Sequence, residues 1–247
     1  MGRTHALSGW CTGLAVAPLV GLHQPAQVLL FAVVTAGWSL APDLDHPGAV
    51  ATKWGGWVTS WLSLGLRGLS AWAFAVTRTA RDQDSEGTHR HLSHTVVFAV
   101  LVGAAVAVAT ALSPSWIVLV PVAVGALLAE RSLGRWALVV GVAPVAWAFF
   151  AGGDVLSPAR GWIGVAVALG CVVHILGDAL TRAGVPFLWP LPFRGQRWFR
   201  IGSPRCVRFA AGGEAERLLV FPVFVLLGVL LVPGVLSVVS SSVGAFV

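Results

Sequence analysis

Ionised side chains are what this chain lacks most. They make up 11% of its 247 residues, against about 25% in ordinary soluble domains, while hydrophobic residues take 57%. With a mean hydropathy of +0.84, too little polar surface exists to cover a water-soluble globule. A soluble fold is excluded, and a polytopic membrane protein is implied. Cysteine is nearly as scarce: Cys11 and Cys171 lie in apolar runs and Cys206 in a basic loop, so neither a disulfide framework nor a thiolate metal pair is expected. Tyrosine is absent, which leaves tryptophan as the amphipathic aromatic of the headgroup region. No internal repeat is present. An N-terminal secretory signal is outlined by Arg3 and the Ala15-Val16-Ala17 run, but its basic region is minimal, and Trp10 and Gly13 interrupt the apolar core. Myristoylation is excluded by alanine at position 6.

What remains is mostly apolar run. Crossing a ~30 Å hydrocarbon core takes about 20 helical residues. The candidates are Leu7–Leu22, Ala26–Ala41, Thr95–Leu112, Trp116–Ala129, Trp136–Ala151, Trp162–Leu180 and Leu218–Leu236, with Gly and Pro signals between them. Trp54–Ala80 is long enough to span, but Arg67 would then sit near mid-membrane at a cost of roughly 2.5–3.5 kcal/mol. Its tryptophans suit an interfacial amphipathic helix instead. The expected fold is therefore all-α: one integral-membrane domain over residues 1–247, about seven transmembrane helices plus one interfacial helix. With that topology, all of the 16 Lys and Arg residues except Arg160 fall on one side. The positive-inside rule makes that side cytoplasmic. The net charge of +6 speaks for topology and anionic lipid before nucleic acid.

The scarce polar residues are not scattered. His5 begins the first apolar run, and Asp43-Leu44-Asp45-His46 sits between Pro42 and Pro47 after the second. His89, His91 and His94 open the third. His174 and Asp178, at i and i+4, share one face of the sixth. In the expected topology all four groups reach the same membrane face; only His23 lies elsewhere. Imidazole is a leading ligand for zinc-type cations, and a carboxylate inside a membrane is costly unless paired or metal-bound. Each group alone has an ordinary structural reading, as an interfacial histidine, a turn cap or a loop; their convergence is the argument for a metal site.

The same blocks carry a resemblance. Thr4-His5, Pro42-Asp43-Leu44-Asp45-His46-Pro47, His89-Arg90-His91-Leu92-Ser93-His94-Thr95, and His174 to Thr181 followed by Ala183-Gly184-Val185-Pro186-Phe187-Leu188-Trp189-Pro190 resemble the bacterial inner-membrane family of predicted metal-dependent hydrolases, the YdjM-like proteins. That family is in turn distantly similar to the zinc phospholipase C and single-strand nuclease superfamily. The resemblance implies a metal set of His5, Asp43, Asp45, His46, His89, His94, His174 and Asp178, with Arg90 and Asp45 in catalysis. His91 stands where the family has glycine, and Glu216-Arg217 is similar to an acidic-basic pair in the family's C-terminal block. A divalent metal, zinc in the first instance, is the implied cofactor. Eight candidate ligands exceed the three or so of one catalytic zinc, so two ions or one ion with an outer shell are expected.

The implied activity is hydrolysis of a phosphoester, lipid or nucleotide, at the cytoplasmic face. Arg90, Arg194, Arg197 and Arg200 are the candidate substrate-binding residues; the basic-aromatic loop around them would serve equally as a membrane-surface anchor. Membrane lipid and a small-molecule or lipid phosphoester are the expected partners, with no protein partner and no specific nucleic acid. A divalent-cation transporter using the same cluster is the alternative, although transporters commonly place their sites at the midplane of repeated halves. A noncatalytic scaffold would leave the cluster unexplained.

Overall fold

A computed structural model describes residues 1–150, 154, 156–204 and 206–238. Arg205 and the Gly152-Gly153 break lie outside the described residues. Among these residues the chain is helical, with no strand and three isolated bridges. In order, the helices are α1 (Gly2–Val16), α2 (Pro25–Trp38), α3 (Val50–Trp54), α4 (Trp57–Thr77), α5 (Val96–Leu112), α6 (Leu119–Leu133), α7 (Arg135–Phe150), α8 (Leu156–Ala159), α9 (Ile163–Ala179) and α10 (Phe221–Leu230).

Helices fall at the seven expected apolar runs, but most are short. Two stretches, Pro25–Asp45 and Ser115–Leu133, are long and apolar enough to cross a membrane. Helices α5 and α9 have 17 residues each, about 25 Å at 1.5 Å per residue, which falls short of a ~30 Å core. Proline and glycine punctuation, which marks the runs in the sequence, also trims them.

Helix α2 is the centre. Residues Leu30 to Gly37 are all buried, and α1, α6 and α9 pack around them. Apolar helices in lipid gain nothing from hydrophobic contact with one another and rely on close backbone approach through small residues. Gly9 and Gly13 of α1 do this: a Cβ at Gly13 would lie 2.5 Å from the Ala32 Cα. At Gly37 it would lie 1.8 Å from the Gly125 carbonyl oxygen of α6. Gly103 of α5 and Gly164 of α9 cross in the same way, each 2.6 Å from the other's carbonyl oxygen.

Helix α4 is built the opposite way from a helix on a soluble surface. Its protein-facing residues are Thr59, Ser63, Ser70, Ala73 and Phe74, whereas Trp57, Trp61, Leu62, Leu69, Trp72 and Val76 are exposed. The polar stripe has work to do inside: Ser70 Oγ donates to the Gly87 carbonyl at 2.5 Å and accepts from Leu92 N at 3.1 Å. The long excursion after α9 folds back on the C-terminal end of α4. Asp82 accepts from the Thr79 and Trp198 amides at 2.6 and 2.9 Å, and Trp189 and Trp198 both donate to Thr77 Oγ1.

Because the Gly37–Gly125 contact leaves no room for a side chain, Gly37→Ala must push α2 and α6 apart. It should destabilise the detergent-solubilised protein by about 1–3 kcal/mol or more, read as a lowered Tm. An alanine at the open position Gly65, where a Cβ meets nothing within 4 Å, should leave Tm unchanged or raised. Equal Tm values for the two variants would refute the packing argument.

Candidate metal centre

Four segments deliver the site. Pro42 sets the φ of a single 3-10 turn over Pro42–Asp45, which sends Asp43 and Asp45 to different neighbours. The 89–94 segment reaches its own 3-10 turn, Leu92–His94, through Arg90 at φ 53°, a left-handed conformation that costs a non-glycine residue free energy. The strained corner is held because the Arg90 amide donates to Asp45 Oδ2 at 3.0 Å. His174 and Asp178 come from α9, and His5 from the first turns of α1.

The proton positions follow from the partners. His174 Nδ1 lies 2.7 Å from the Ser39 carbonyl, which can only accept, so this nitrogen carries the proton and Nε2 a lone pair. Ser93 Oγ donates to Asp45 Oδ2 at 2.5 Å and therefore accepts from His94 Nδ1 at 3.0 Å, leaving His94 Nε2 bare too. The two bare nitrogens are 3.2 Å apart. Asp178 Oδ2 lies 3.2 Å from His94 Nε2 and 3.6 Å from His174 Nε2, fully buried and with no hydrogen-bond partner. Asp43 Oδ1 is 3.6 Å from His174 Nε2. With His94 neutral, as a metal ligand must be, four electron-rich atoms crowd one buried point.

That arrangement fits a metal ion. Ligand atoms bound tetrahedrally at ~2.0–2.1 Å are about 3.3–3.4 Å apart, the range seen here. Two three-residue groups can each hold an ion: His5, His174 and Asp178, and Asp43, His94 and His174. His5 Nε2 is 3.4 Å from Asp178 Oδ1, its ring stacked on His174 at 4.0 Å. Burial alone would lower the His94 pKa, but Asp178 and Asp45 overcome it and raise it to about 9, so with no cation bound a proton on Nε2 takes the place a metal ion would fill.

Asp45 stands one layer out. Its Oδ1 takes His89 Nδ1 at 2.7 Å and its Oδ2 takes Ser93 and the Arg90 amide, so its lone pairs are spent on protein donors. It fixes the tautomers of His89 and His94, as outer-shell carboxylates do in metal sites. Arg90 is similarly engaged: its guanidinium donates to Asp178 Oδ1 at 2.9 Å and to Thr181 Oγ1 at 3.0 Å, turning Asp178 Oδ2 inward. His46 lies exposed on the rim, its ring 4.9 Å from His89; its Nδ1 accepts from the Gly48 amide, which leaves Nε2–H as a donor.

Beside His89 opens a cavity of about 500 Å³ lined by Arg90, Thr181, Arg182 and Arg200. Of the arginines proposed for substrate, Arg90 and Arg200 reach it. Arg194 instead stacks over Phe193 and Phe199, and Arg197 donates to the Thr77 carbonyl. His91 faces away from the centre, packed on Phe74 and Trp198. Cys171 is buried against the Trp38 carbonyl. Sequence reasoning gave no role to Ser93, Thr181 or Arg182, although all three lie inside or beside the motif blocks; Ser39 acts through its backbone, which leaves no residue-type signal. Glu216 binds Thr4 Oγ1 at 2.6 Å, one residue from His5, bracing the start of α1.

The fold and site together define a helical membrane protein with a buried histidine-aspartate centre able to hold a metal ion. The chain belongs to the YdjM inner membrane protein family, whose model matches residues 1–239. That membership places it in the inner membrane. No curated protein and no solved structure matches it.

Metal content by mass spectrometry separates these roles. Asp178→Asn and His174→Ala should abolish retention of a divalent metal, whereas Asp45→Asn, which misorients two imidazoles, should weaken affinity by about 10–100-fold. Arg194→Ala should match the wild type. Undiminished metal in Asp178→Asn would sink the assignment.

Proposed function

We propose that the protein is a metal-dependent phosphoester hydrolase with its site at the cytoplasmic face, in a single domain whose seven apolar helices lie in the bilayer and whose α4 lies in the interface. The observation that carries this reading is a crowded, buried set of imidazole and carboxylate donors directly beside an arginine-lined cavity. His94, His174, Asp178 and Asp43 would hold the cation, zinc by donor type, with His5 available for a second. A cation there supplies Lewis acidity, lowering the pKa of water toward ~7 and stabilising charge on a phosphoryl oxygen.

The chain's own residues divide the remaining labour. Arg182, Arg200 and the outer edge of Arg90 bind the phosphoryl oxygens. His89, its Nδ1–H held by Asp45 and its Nε2 lone pair open to the cavity, is placed as the general base. It takes a proton from water as the water oxygen attacks phosphorus; the ester P–O bond breaks, the leaving alkoxide takes a proton from solvent, and His89 returns its own to solvent. The balance is ester plus water to alcohol plus phosphate. A distant kinship with zinc phospholipases C and single-strand nucleases would agree with phosphoester cleavage at clustered metal. The cation bias to one side and the outward apolar stripe of α4 support the orientation.

With metal supplied, Asp178→Asn should lose at least ~10³-fold in phosphoester turnover while remaining monodisperse. Arg200→Ala should mainly raise KM. In a Cys206→Ser background, cysteines at Ser85 and Lys53 should both label from the cytoplasm only. Phosphoester turnover unaffected by Asp178→Asn, or metal crossing proteoliposomes without any ester cleaved, would defeat the hydrolase reading in favour of transport.

A further inference from the structure

A second cavity reaches the same centre from the other side. It is a groove of about 280 Å³ between α1, α9 and α10, with His5 at its inner end and Leu169, Val172, Leu176 and Phe224 along its walls. Apart from His5 no acidic or basic side chain lines it, and Thr4, Ser8 and Thr12 of α1 add only hydroxyls. From Leu169 to Leu180 it follows α9 for about 16 Å at 1.5 Å per residue, parallel to the helices. Its floor is open because residue 177 is glycine: a Cβ there would sit 3.0 Å from the His5 ring. Leu180 lines this groove, and its neighbour Thr181 lines the arginine cavity. The two spaces thus lie one residue of backbone apart, on either side of the contacting His5, Asp178 and Arg90 side chains.

An arginine-lined mouth beside an apolar groove suits an amphiphile whose chain passes over the Leu180–Thr181 edge. We infer that the substrate is a lipid phosphoester: its phosphoryl group lies among Arg90, Arg182 and Arg200, and one acyl chain lies in the α1–α9–α10 groove. This rests on the hydrolase reading and narrows it. At ~30 Å³ per water-sized group, the groove takes about nine such groups, enough for much of one chain and not for two. A nucleotide is disfavoured because no Phe or Trp lines the arginine cavity to stack a base, and the one ring there, His89, is tied to Asp45.

The test compares two probes that share a head: 1-oleoyl lysophosphatidate and glycerol 3-phosphate. In nanodiscs with metal supplied, kcat/KM should favour the lipid by at least 100-fold, and Leu169→Trp or Val172→Trp, which fill the groove, should cut that preference at least tenfold while metal content stays at the wild-type level. Independently of turnover, a diazirine-bearing acyl phosphate added to metal-free protein should crosslink to Leu169–Val173 of α9 and to Phe224. Cleavage of glycerol 3-phosphate or a nucleotide with no preference for the lipid overturns the groove assignment and leaves the hydrolase intact. Crosslinks confined to other helices do the same. Retained metal with none of the probes cleaved removes the hydrolase reading and the inference with it.

Discussion

Two buried imidazole nitrogens face each other at 3.2 Å amid a cluster of carboxylates, and the arrangement around them exists to keep them there. Neutral nitrogens in that geometry repel, and a buried carboxylate oxygen without a donor adds a desolvation cost of its own. The chain could have relieved the conflict by turning either ring. Instead the Ser39 carbonyl pins one ring and the Asp45–Ser93 pair pins the other. Such preorganisation is intelligible when a cation replaces the missing protons, because binding energy is then not spent on reorienting ligands.

The small-residue contacts acquire meaning from this. His94 and His174 can approach only if α5 and α9 cross closely, and Gly103 and Gly164 give that crossing. His5 reaches Asp178 only because α1 lies against α2 through Gly9 and Gly13, and because Gly177 leaves space for its ring. Glycine in a helix normally weakens it. Here that loss is offset by van der Waals contact and by the placement of ligands three and four helices apart in sequence to within a few tenths of an ångström.

How much of this the sequence discloses depends on whether a role belongs to a residue type or to a geometry. Histidines and aspartates near the ends of apolar runs are visible as scarce residues in an apolar chain, so the members of the centre could be named. Their ranks could not. Asp43 and Asp45 are two residues apart in one turn and chemically identical, yet one faces the bare nitrogens and the other faces donors; only the turn's path decides. Arg90 reads as a phosphate ligand, but its fork is largely occupied by Asp178 and Thr181. The tight arginine count in the loop after α9 misleads in the same way, since stacking on Phe193 and Phe199 removes Arg194 from the cavity. The places of seven apolar helices and of α4 were legible from the sequence, while the short α3 and α8 and the helix lengths were not, because turns at the proline and glycine breaks take residues from each run.

Short helices and the polar inner face of α4 belong to one solution. A metal centre within a long span would place its carboxylates deep in hydrocarbon, where each is costly. Ending α2 at Trp38, starting α5 at Val96 and ending α9 at Ala179 brings the ligands to a common level at the helix ends, where non-helical backbone is tolerable because protein surrounds it. Helix α4 provides that surround. Its Ser70 satisfies the turn that carries His94, and its Thr59 holds Thr52 of α3, which in turn satisfies the turn that carries Asp45, while its outward tryptophans tolerate lipid. A helix polar on both faces would leave the lipid boundary unsealed, and one apolar on both would leave the Gly87 carbonyl and the Leu92 amide without partners. The reversed amphipathicity is therefore what a site at this depth requires of whatever covers it.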